Sequence, residues 1–149
     1  MATTQYPGPQ FCTTDDVQQI AGQANLQGYS DLNNTGSVEL TDVNYWINYA
    51  SSIVCDVFLY EGGANSPPSF FGASVFRIAV ITAKMALKEI YFARGVMRDE
   101  ATDTKMAKMG DEAYKDLLSC RQELRPNVVR RWAAPTGAVG YRVNGISGG

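Results

Sequence analysis

Apolar residues recur at helical spacing in four stretches of this chain, and the polar stretches between them carry helix start and stop signals. Thr13-Thr14-Asp15-Asp16 reads as an N-cap with acidic residues in the first turn. Val17, Ile20 and Ala21 follow at helical spacing and Gly22 is a stop, which predicts a short helix over 13–22. Residues 23–40 are polar and predict a loop. Thr41-Asp42 then caps a longer helix over 41–61, with Val43, Trp46, Ile47, Ala50, Val54, Val57 and Phe58 on one stripe and Asn44, Asn48, Ser51 and Asp56 off it. Gly62-Gly63 ends it, and Asn65-Ser66-Pro67-Pro68 cannot be helical.

The third long pattern, over 73–94, is apolar nearly all round except for a line of Arg77, Lys84 and Lys88, which predicts a central helix packed on most sides. After Gly95, residues 99–124 predict a last helix with Met106, Met109, Ala113, Leu117, Cys120 and Leu124 on one face. Gly110 is a weak point within it and Pro126 stops it. Val54, Phe58, Ile78, Ile81, Met85 and Leu117 are expected in the core. The expected fold is all-α: a small four-helix bundle over 13–124, with extended arms at 1–12 and 125–149.

Composition narrows the function. The 149 residues, 45% of them hydrophobic, are enough for one core. The first residues show neither a basic nor an apolar leader segment, so no signal peptide is expected. The most apolar run, residues 78–87, is interrupted by Lys84 and too short to span a bilayer, so a soluble protein without a membrane partner is expected. The chain has no histidine, which removes Ser-His-Asp and Cys-His catalysis and His-ligated zinc. Phosphate-binding glycine motifs are also missing, and a non-enzyme with no catalytic residues is expected. Cys12, Cys55 and Cys120 are odd in number and far apart, which argues for structural thiols in a reducing compartment.

Charge is divided unevenly. The first 66 residues hold seven acidic and no basic residues, and the remainder thirteen basic and eight acidic, so net charges of −7 and +5 add to the −2 of the whole. Opposed surfaces of this kind steer and register association between copies.

Two segments carry candidate binding chemistry. Residues 31–42 overlay a calcium loop: Asp31, Asn33 and Thr35 place oxygens at positions one, three and five, Gly36 stands at six, and Asp42 at twelve. The run into Val43-Asn44-Tyr45-Trp46 resembles half of a dockerin. Asp42 reaches less far than the usual bidentate Glu, and an Asx-type turn would use the same residues. Residues 125–149 hold Arg125, Arg130, Arg131, Trp132, Tyr141 and Arg142, with no acidic residue, two Pro and five Gly. They read as an extended partner-binding arm in which Val139 to Val143 alternates like a strand. Phosphate contacts by the arginines are conceivable, but a pI near 5.1 lacks the basic face of a DNA binder.

Taken together, the short capped helix Thr13 to Ile20, the Asp/Asn/Gly loop, a helix ending in Val57-Phe58-Leu59-Tyr60, the Pro-rich link, the apolar stretch 79–87 and the Tyr114-Lys115-Asp116-Leu117-Leu118 helix before a trailing arm form a sequence of elements. Over residues 11–126 it resembles the head-tail connector (adaptor) proteins of tailed bacteriophages. That resemblance implies a small α-helical bundle whose copies form a ring, usually dodecameric, in the virion neck. The ring would sit between the portal protein and the head-closure or tail proteins, with DNA passing through its lumen without sequence-specific binding. It implies no active site and no cofactor, and it gives the 125–149 arm the role of reaching the portal. A calcium-dependent interaction module built on the 31–42 loop is the alternative expectation.

Overall fold

Thr13 starts the first helix by a reciprocal cap. Its N–H donates to Asp16 Oδ2 at 2.7 Å, and the Asp16 N–H donates to Thr13 Oγ1 at 3.2 Å, satisfying two otherwise orphan donors. In the computed structural model, which describes residues 5–31, 34–62, 68–94 and 99–124, this opens α1 (Thr14–Ala21). It is followed by α2 (Gln23–Ser30), α3 (Leu40–Gly62), α4 (Ala73–Arg94) and α5 (Glu100–Leu124). The fold is all-α, with no strand among the described residues. No helix among them is long and apolar enough to cross a membrane.

Among the described residues the bundle has five helices where four are expected. Gly22 does end α1, but at φ +86° it turns the chain directly into α2, and the Leu26 N–H donates to the Gly22 carbonyl at 3.0 Å. The stretch expected as a polar loop from 23 therefore begins as a helix. Its only fully buried large side chain is Leu26, with Tyr29 packed edge-on to Tyr91 at 5.1 Å. One apolar anchor in two turns gives no periodic signal. Packing on α1 and α4 supplies what propensity does not.

The long helices match their patterns closely. α3 starts at Leu40, with the Val43 N–H bonded to the Glu39 carbonyl, so Thr41 and Asp42 lie inside its first turn and do not cap it. α4 is the hub, packing against all four other helices, with Ile78, Thr82, Leu87 and Ile90 almost fully buried. Asp99 caps α5 by accepting the Thr102 N–H at 2.9 Å and the Thr102 hydroxyl at 2.6 Å, which holds its carboxyl below the usual range. Val54, Phe58, Ile78, Ile81, Met85 and Leu117 are all buried in one core, while the side chain of Leu124 lies outside the described set.

Gly110, a weak point by propensity, is buried where α5 faces Lys88 of α4. The Lys88 stem lies across it, and a Cβ there would meet Lys88 Cδ. The missing side chain leaves room for the Lys88 stem, at an intrinsic helix cost for glycine of about 1 kcal/mol.

Residues 5–12 lie along α3. Gln10 Nε2 donates to Asn48 Oδ1 at 2.8 Å, the Phe11 N–H donates to Ser51 Oγ at 3.1 Å, and Cys12 is buried. Phe11 stacks edge-on against Phe70, which meets Phe58 the same way at 5.0 Å. Ser51, expected off the apolar stripe, is fully buried as the acceptor for this strap. Ser51→Ala would strand the Phe11 amide, so urea denaturation should show a loss of about 1–3 kcal/mol. An unchanged midpoint would mean that water replaces the hydroxyl.

Candidate interaction surfaces

The 31–42 loop is organised by one carboxylate. Asp31, buried at the end of α2, accepts the Thr35 N–H (2.7 Å) and hydroxyl (3.1 Å) on Oδ1 and the Gly36 N–H (2.7 Å) on Oδ2. Asn34 at φ +58° and Gly36 at φ +81° supply the left-handed bends this turn needs. Of the proposed ligands, Asp31 and Thr35 are thus joined by hydrogen bonds, and Asn33 lies outside the described residues. Among those residues no three Cys, Asp or Glu side chains converge as a metal site.

Asp42 behaves differently. Its Oδ2 is buried with no hydrogen-bond partner among the described residues, and burial, then the charge of Glu39, pushes its carboxyl up. The folded state therefore holds this proton more tightly than the unfolded chain. That contribution is complete below the ordinary carboxylate pKa of about 4 and is lost as pH rises through the raised value. Asp42→Asn should accordingly raise the melting temperature at pH 7 and give no advantage near pH 3. A variant that melts lower at pH 7 would mean that the ionised carboxylate is wanted there.

The thiols are placed for packing. All three are buried, and burial together with the nearby Asp16 charge pushes Cys12 up to about 12, which keeps it protonated. Tyr6 Oη lies 3.4 Å from Cys55 Sγ and donates to the Pro9 carbonyl at 2.7 Å; burial, and secondly Cys55, raises its hydroxyl above the usual value. The arm residues Arg125, Arg130, Arg131, Trp132, Tyr141 and Arg142 all lie outside the described residues.

Among the described residues, two apolar surfaces are open to solvent. On the outer side of α3, Tyr45 (56% exposed) and Tyr49 (46%) stand edge-on to Trp46, at 4.9 and 5.6 Å. At the start of α4, Phe71, Val75 and Phe76 are exposed, Phe76 by 73%. Phe76 leads into a groove of about 680 Å³ between α4 and α5, with Val80, Ile81, Met109 and Ala113 among its lining residues. Arg77 Nη2 meets Asp116 Oδ1 at 2.7 Å, and Lys84, Lys105, Lys108 and Glu112 complete the lining.

The groove was hidden in the expectation of an α4 packed on most sides. Met109, expected on the apolar face of the last helix, is half-buried and lines the groove beside Lys105, Lys108 and Glu112. No protein-family model, curated protein or solved structure matches this chain.

Proposed function

We propose that the chain is a structural head-tail connector of a tailed phage virion, an adaptor and not an enzyme. Its copies would form a ring, dodecameric by analogy, in the neck between the portal and the head-closure or tail proteins, with DNA in the lumen. The observation that carries this reading is a small bundle exposing two separate apolar surfaces. One lies in a half without a basic residue and the other beside three lysines. Large exposed aromatic groups of this kind are typical of surfaces covered by partners. The element order that resembles the connector family points the same way. Electron microscopy of the purified protein, alone and mixed with a portal ring, tests it. Rings that cap the portal are expected; a protein that neither closes into rings nor binds portal would end the proposal.

A calcium-dependent interaction module is the second reading, favoured by the buried Asp42 Oδ2 at the twelfth position of the loop, which has no hydrogen-bond partner among the described residues. Against it, both Asp31 oxygens already accept backbone N–H groups. Under this reading millimolar calcium would raise the melting temperature, and equal melting in calcium and in chelator would remove it.

A further inference from the structure

The α4/α5 groove has the chemistry of a receptor for an acidic, aromatic helix face. Its lining includes the apolar side chains of Val80, Ile81 and Met109, with Phe76 projecting beside them. Lys84, Lys105 and Lys108 line it too, and none of the three has an ion-pair partner among the described residues. Arg77 is committed to Asp116 and Lys88 lies 3.9 Å from Asp111, so these three lysines, set against the Glu112 carboxylate in the same lining, leave the groove with an excess of positive charge.

The chain itself carries a surface of the complementary kind. Tyr45, Tyr49, Ser52 and Asp56 are spaced 4, 3 and 4 residues apart, which places them on one side of α3, opposite the core stripe of Val43, Ile47, Ala50 and Val54. Tyr45 and Tyr49 are exposed aromatics and Asp56 is an exposed carboxylate. Because the first 66 residues contain no Lys or Arg, this face can approach the three lysines without any like-charge contact from its own half.

We propose that the α4/α5 groove of one copy takes the Tyr45–Tyr49–Asp56 face of α3 from a second copy. The two tyrosines lie against Phe76, Val80 and Met109, and Asp56 faces the lysines. The two surfaces share no residue, so a contact that is not reciprocated within one pair is heterologous and leaves the assembly a free face on one end copy and a free groove on the other, the condition for a ring or a filament. This deepens the connector reading and rests on its premise of self-assembly, by naming the surfaces that meet.

Complementation between two defective variants tests it. One variant blocks the groove (Lys105→Glu with Lys108→Glu) and the other blocks the face (Tyr49→Ala with Asp56→Lys). All four positions are exposed, so circular dichroism should show unchanged helicity. By sedimentation, the wild-type chain should form heavy species that shrink as salt rises. Each variant alone should be monomeric, and their equimolar mixture should stop at a 1:1 dimer, because one good groove meets one good face and nothing can extend. In the wild-type assembly, zero-length carbodiimide coupling should join Asp56 of one copy to Lys84, Lys105 or Lys108 of another. A groove variant that assembles like the wild type overturns the groove while leaving self-assembly standing. A mixture that stays monomeric overturns the pairing of these two surfaces. A wild-type chain that is monomeric at every concentration overturns both this contact and the ring on which it rests.

Discussion

Leu117→Ala is expected to destabilise the protein by about 4 kcal/mol and Ile81→Ala by about 2–3 kcal/mol, both within the range for buried large-to-small changes. The side chains are similar in size and nearly equal in burial, at 0% and 2% exposed. What separates them is the space beyond. Leu117 is enclosed in the core, so its removal leaves a void that the packed helices can only partly close. Ile81 lines the α4/α5 groove, where neighbouring side chains and water can settle into the vacated volume. Domains of this kind have total stabilities of about 5–15 kcal/mol, so Leu117→Ala removes a large share. Equilibrium urea unfolding of both variants checks the order. Equal losses would mean that the groove is closed in solution, and a loss under half a kcal/mol at either site would mean that the core lies elsewhere.

Deleting residues 127–149 is expected to leave the melting of the helical bundle unchanged and to abolish attachment to the portal under the connector reading. The residues from 125 to the end hold few apolar groups but include Trp132, Tyr141 and four arginines, the residue types that dominate interface energetics. An extended segment of that length reaches about 80 Å, enough to cross onto a neighbouring protein. Co-sedimentation of full-length and truncated protein with portal rings measures the difference. If the truncated protein docks as tightly as the full chain, the portal contact lies on the helices.

The long elements were legible in the sequence because their signals are redundant. α3, α4 and α5 each combine a stripe of five or more apolar residues with breakers at their ends, and α4 runs over the expected residues 73–94. α2 was not legible, because a helix held by Leu26 and packing alone has no period to read. The strap at 5–12 was missed for a related reason. A Thr/Pro/Gly-rich segment says nothing of a serine forty residues away that will accept the Phe11 amide. The 31–42 loop shows the limit of a motif. The same Asp-x-x-x-Thr-Gly pattern that spells a calcium loop also spells a turn in which the carboxylate serves Thr35 and Gly36. The groove escaped because it belongs to two helices at once, and neither helix alone carries it.

The strap and the hub also differ in how readily they come loose. The polar hydrogen bonds from residues 5–12 to α3 run through Tyr6, Gln10 and Phe11, at the rim of the core. The segment can therefore peel away by opening a few contacts while α4 stays clasped by its four neighbours. In deuterated solvent the Phe11 amide should exchange through such local openings, whereas amides around Leu87 and Ile90 should exchange only when the whole domain unfolds. A proteolytic enzyme would read the same hierarchy, cutting near the strap long before it reaches the middle of the bundle.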